Sequence, residues 1–176
     1  MSKTKSVACY GASMPERPDP QREIWAYDAA LSLLLAQVIR SVEAAPPDSR
    51  PGWWADRAEE LRLQATIGDI SFELAGGSGA DEREEFAELL EKAADRLSDR
   101  GIFTAEEADG WRVIDDETVI FRGDSATDTK PVAELGRALA GLLRGPLPAP
   151  PTGTMWLYGC PGGRTTLGVA NPADEE

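Results

Sequence analysis

The stretch between Ile24 and Val42 restricts the fold more than any other. Ile24, Trp25, Leu31, Leu34, Leu35, Val38, Ile39 and Val42 recur at three- and four-residue spacing, with Leu filling in between. That period belongs to an α-helix, and so broad an apolar face predicts a central, heavily buried position. Asp19-Pro20, a capping residue followed by the residue best suited to a first helical turn, marks the expected start. Pro46-Pro47 marks the end. Asp28, Gln37 and Arg40 interrupt the run, so a membrane span is not expected. With 176 residues, 41% of them hydrophobic, the chain can bury one core of ordinary domain size.

Other elements follow by the same logic. Trp53, Trp54, Ala58, Leu61 and Leu63 predict a second helix. Ile70, Phe72 and Leu74 alternate with Asp69, Ser71 and Glu73, the pattern of a strand with one wet face. Gly76 to Gly79 stops it as a flexible connector, and Asp81 with Glu84 reads as a capping box. Phe86, Leu89, Leu90, Ala93, Ala94 and Leu97 then stripe a helix that ends at Gly101. A short strand at Ile102-Phe103 and a single turn capped by Thr104 come next. Trp111 to Ile114 and Thr118 to Arg122 are expected to pair across Asp115-Asp116-Glu117. A further helix carries Val132, Leu135, Leu139, Leu142 and Leu143, closed by Gly145-Pro146. Thr154 to Tyr158 and Thr165 to Val169 form a last hairpin around Gly159 to Arg164. The expected fold class is α+β: about four helices packed on one face of a mostly antiparallel sheet of about five strands. Residues 1–170 are expected to form one domain, with an acidic tail at 171–176.

Composition removes whole classes of chemistry. There is no histidine, which excludes Ser-His-Asp and Cys-His catalysis and His-ligated metals. Two cysteines, Cys9 and Cys160, are too few for a structural zinc site or a disulfide framework. The net charge is −13, the wrong sign for direct nucleic-acid binding. The N-terminus shows no apolar stretch of signal-peptide type, so a cytoplasmic location is expected, with both thiols reduced. Arg outnumbers Lys 14 to 4, a bias that suggests a GC-rich bacterial genome.

Each catalytic-looking motif falls short of its mechanism. Gly159 to Thr166 lacks the spacing and the Lys of a phosphate-binding loop. Arg164 follows Cys160 by four positions, where a phosphatase-type loop needs six. Asp115, Asp116 and Glu117, with Asp69 or Glu73, have the oxygen chemistry for Mg²⁺, but consecutive turn residues point apart. Gly76 to Gly79 is followed by Asp81, Glu82, Glu84 and Glu85, which repel an anion. No catalytic residue, metal site or cofactor is therefore expected.

Charge distribution is the strongest signal. Residues 81–117 hold 14 acidic and 5 basic residues, whereas residues 1–22 are net basic. Glu85, Glu88 and Glu91 are spaced by three on the helix away from Phe86, Leu89 and Leu90, and Asp115 and Asp116 sit at the adjoining hairpin. Trp53 and Trp54 point about 100° apart on a helix, so one of them, taken as Trp53, is expected half exposed as an interface anchor. Together these residues predict an acidic protein-binding module, of inhibitor or immunity type, that docks a basic partner. Two alternatives stand beside it. One is a carboxylate/Mg²⁺ or Cys160-based enzyme, the other a structural subunit of a larger bacterial assembly. Oligomeric state is not legible in the sequence.

Overall fold

The computed structural model describes residues 4–10, 15–66, 71–114, 117–118 and 126–169. The Leu-rich run is where expected but begins differently. Glu23–Tyr27 is a strand, β2, with Ile24 and Ala26 buried, and helix α1 spans Asp28–Glu43 directly after it. Five residues of strict alternation feed a helix with no breaker between them, so the two periods merge in sequence. Asp28 Oδ1 accepts from the Ala29 N–H at 2.8 Å and supplies the turn into the helix. Asp19, the expected cap, instead closes a tight turn before β2, accepting from Gln21 N and Arg22 N. Residues 30–36 of α1 are all buried, which places this helix at the centre of the core.

β2 pairs antiparallel with β1 (Thr4–Ala8), a strand that composition hides because Lys5 occupies a core position. Its ammonium donates to Gln64 O at 2.9 Å and Gln64 Oε1 at 3.0 Å on helix α2 (Trp54–Thr66). Beyond α2, β3 (Ser71–Glu73) runs parallel to β1. The C-terminal hairpin, β8 (Thr154–Tyr158) and β9 (Thr165–Gly168), joins the other side through a parallel β2–β8 ladder. The sheet order is β3-β1-β2-β8-β9, a mixed sheet of five strands. Two antiparallel pairs lie apart from it. β4 (Ile102–Phe103) pairs with β7 (Thr127–Asp128), and β5 (Arg112–Ile114) with β6 (Glu117–Thr118).

Four substantial helices cover one face. α1 and α5 (Lys130–Arg144) lie on the sheet, α3 (Ala80–Arg100) packs over α5 and α1, and α2 flanks α1. A short helix, α4 (Ala105–Asp109), has the expected cap, with Thr104 Oγ1 accepting from Glu107 N at 3.2 Å. α1, α3 and α5 meet at Gly136, where an added Cβ would stand 3.0 Å from Ala94 Cβ and Leu34 Cδ1 and 3.3 Å from Leu90 O. Thr129, fully buried, donates its hydroxyl to Leu97 O and its N–H to Gly101 O, tying the start of α5 to the end of α3.

Three local expectations are corrected. α3 begins after Gly79, whose N–H meets Glu82 Oε2 at 3.3 Å, so Asp81 and Glu84 lie inside the helix. Gly76 is more than a connector: at φ +50°, an added Cβ would stand 2.0 Å from the Arg57 guanidinium, which is packed beneath the loop. Leu63 points outward at 43% exposure. The strand expected over 118–122 lies outside the described residues beyond Thr118, as does the tail at 171–176.

Candidate protein-docking surface

α3 carries the acidic region on a rigid rod, and its neighbours sort the carboxylates into two groups. Glu84 and Glu91 turn toward α5 and share Arg144. The Arg144 Nη2–Glu84 Oε1 distance is 2.7 Å, and Arg144 Nη1 donates to Glu91 Oε1 at 2.5 Å. The charged hydrogen bonds from Arg144 hold both carboxyls below the ordinary value, against the opposing effect of desolvation. Asp95 similarly meets Arg137 at 3.0 Å. Glu91 therefore does not continue the free ridge expected with Glu85 and Glu88.

Glu85 and Glu88 face the other way, onto a groove between α3, the end of α1 and residues 45–52. The groove encloses about 400 Å³, with Val42, Ala45, Pro51 and Leu89 as apolar lining and Glu85, Glu88 and Lys92 on the α3 side. Glu88 has one weak partner, Lys92 Nζ at 3.4 Å, both side chains being well exposed. Arg50, on the opposite wall, donates to Ala45 O at 3.2 Å and Glu43 O at 3.0 Å, fixing the loop to the end of α1.

Trp53 is not the half-exposed anchor expected. It is 8% exposed, its ring centroid 5.5 Å from that of Phe86 and 6.0 Å from that of Trp54. α2 starts at Trp54, so Trp53 precedes the helix and the 100° separation does not apply to it. Its indole N–H donates to Glu85 Oε2 at 2.8 Å, which holds that carboxylate at the edge of the groove. Asp115 and Asp116 lie outside the described residues. Of the six residues read from sequence as partner-binding, the structure brings Glu85 and Glu88 to one groove, buries Trp53 behind Glu85 and sends Glu91 to α5.

The other motifs are accounted for by packing. Burial pushes the Cys160 thiol up, and Arg164 stacks on Trp156 at 4.3 Å. Cys9 is pushed up by burial and then by the charge of Glu73. Nucleophilic thiols need the opposite shift. The Gly159 turn closes a second cavity of about 310 Å³ with Tyr27, Leu33, Asp128 and Pro131. Asp28 and Asp128 already accept from the first N–H groups of α1 and α5 beside it. Its turn is latched by Glu134, which accepts from Arg164 N at 3.0 Å. Among the described residues, no three carboxylate or thiol groups converge as a metal would require. No described helix is long and apolar enough to cross a membrane.

Comparison with known proteins gives no significant match: no family model matches the chain, nor does any curated protein or solved structure. Sequence reasoning missed Arg144, Arg137 and Lys92, the cations that decide which α3 carboxylates stay free. Only Lys92 left a local trace, at i+4 from Glu88.

Proposed function

We infer that the protein is a binding module of inhibitor or immunity type, docking a basic partner in the groove between α3 and the end of α1. The supporting observation is Glu85 and Glu88 standing over an apolar lining, apart from the Arg144 clamp that occupies Glu84 and Glu91. A partner Arg or Lys would lay its methylene stem along Val42, Pro51 and Leu89 and carry its charge to the two carboxylates. Loss of the weak Glu88–Lys92 pair on docking costs little, because exposed pairs contribute about 0–1 kcal/mol. Both thiols are free, in keeping with a bacterial cytoplasmic setting for the module.

The test begins with capture of partners at low and moderate salt, followed by association kinetics on the captured protein. Glu85→Gln/Glu88→Gln keeps an acceptor for the Trp53 indole and removes two charges. Association should slow several-fold, with a deficit that shrinks as salt screens charge beyond about 8 Å. Glu16→Gln/Asp19→Asn, outside the groove, should do little. Equal binding by the two double variants, or a wild-type on-rate indifferent to salt, would remove Glu85, Glu88 and their groove from the function.

A further inference from the structure

The two edges of the five-stranded sheet are unlike each other. At β3, side chains from α2 cover the outward carbonyls. Arg57 Nη2 lies 3.4 Å from both Glu73 O and Leu74 O, and Gln64 Nε2 lies 3.5 Å from Ser71 O. Covering an edge in this way stops it from templating another strand. β9, at the other edge, has no such cover among the described residues. Its sequence is Thr-Thr-Leu-Gly with Val169 following at 42% exposure, and its pairing with β8 runs without a bulge. Among the described residues, no side chain bonds to the backbone of 165–168.

Charge and apolar surface follow the same asymmetry. From Leu135 to Ala173 the chain has no Asp or Glu, although its net charge is −13. A chain so acidic meets its own copy most easily where carboxylates are scarce, and β8–β9 lies within such a stretch, which ends at Asp174, Glu175 and Glu176. The acidic α3 lies beyond α1 and α5, on the far side of the sheet's covered face. On the open face, Trp25, Met155, Leu167 and Val169 line a hollow of about 400 Å³ next to β9. Glu23, the carboxylate there, already accepts from Ser6 Oγ and Tyr10 Oη.

We propose that β9 pairs antiparallel with β9 of a second copy across a two-fold axis, joining two five-stranded sheets into one of ten. The axis stands perpendicular to the sheet, so the two open faces lie on the same side and their apolar hollows adjoin. Growth stops at two copies, because the edges left free are the β3 edges that Arg57 and Gln64 cover. The α3 groove lies away from this contact and stays open to a partner.

Sedimentation equilibrium of the full chain over a wide concentration range reads the assembly. The expected species is a dimer that strengthens as salt rises, since salt screens the repulsion between two acidic copies. Docking in the α3 groove weakens with salt, so the two interactions separate by sign. Gly168→Lys/Val169→Lys places two charges on the edge at sites open to solvent and should weaken the dimer by at least about tenfold. Its circular dichroism and melting temperature should match wild type. In wild type, amide exchange at Thr165 to Gly168 should slow with concentration, a readout that needs no variant. A monomer at every concentration, a dimer untouched by the two lysines, or growth beyond two copies would each overturn the proposal.

Discussion

Gly136 and Leu34 make a prediction in which two damaging changes partly repair each other. Leu34 is fully buried on α1, and its Cδ1 lies 3.0 Å from where a Cβ on residue 136 would stand. Leu34→Ala alone removes core contacts and leaves a cavity, costing about 2–5 kcal/mol. Gly136→Ala alone gains about 1 kcal/mol of helix propensity. It also forces a methyl against Leu34, Ala94 and the Leu90 carbonyl, an overpacking cost of about 1–3 kcal/mol. In the double variant the Leu34 methyl is gone and the new Cβ enters the space it leaves. Relief of that contact and the refilled volume, about 0.8 kcal/mol per methylene-sized group, give a coupling of roughly 1–2 kcal/mol. The double variant should thus be more stable than the sum of the singles, yet below wild type because Ala94 and Leu90 remain. Urea unfolding of the four proteins measures the coupling. Additivity within about 0.5 kcal/mol would mean that α1, α3 and α5 do not meet at this point.

Stability should fall on acidification. Glu84 and Glu91, held below the ordinary 4.5 by hydrogen bonds from Arg144, and Glu107, held there first by the Thr104 N–H, bind protons more tightly in the unfolded chain. Their contribution is complete above the unfolded value and is lost as pH falls through each lowered one. Glu73, raised by burial, acts in the opposite sense, since its protonation on acidification favours the folded state. Urea midpoints measured across the acid limb should decline more gently for Arg144→Gln than for wild type; an unchanged slope would refute the clamp. Cys160→Ser should leave stability and binding near wild type, and both thiols should alkylate more slowly at neutral pH than an ordinary exposed cysteine. Rapid modification of Cys160 would contradict its raised thiol.

The helices were legible where period and punctuation agree. Phe86 to Leu97 ending at Gly101, and Val132 to Leu143 ending at Gly145, return as α3 and α5 with nearly the expected limits. β1 and β2 were lost for different reasons. Lys5 puts a charge where alternation calls for an apolar residue, and β2 runs into α1 without a break. Trp25 falls on a helical stripe in the sequence, whereas the strand turns it to the open face beside Met155 and Leu167. Parallel pairing of β1 with β3 and of β2 with β8 joins segments far apart in sequence, beyond any local pattern. The site was legible as an excess of carboxylates on α3. Which of them remain free depends on Arg144 and Arg137, more than forty positions away on another helix.

The strand order also bears on how the chain is made. β2, in the middle of the sheet, receives one neighbour from the first residues and the other from β8 near the end. During synthesis, α1, α2 and α3 emerge long before residues 154–158 can complete the ladder. A nascent chain therefore holds its most apolar helix against a sheet that is still missing two of its five strands. Such non-local closure slows folding and prolongs the exposure of an unpaired strand edge. The last hairpin thus acts as a latch on the whole molecule, and translation that stalls before it leaves a substrate for chaperones and proteases.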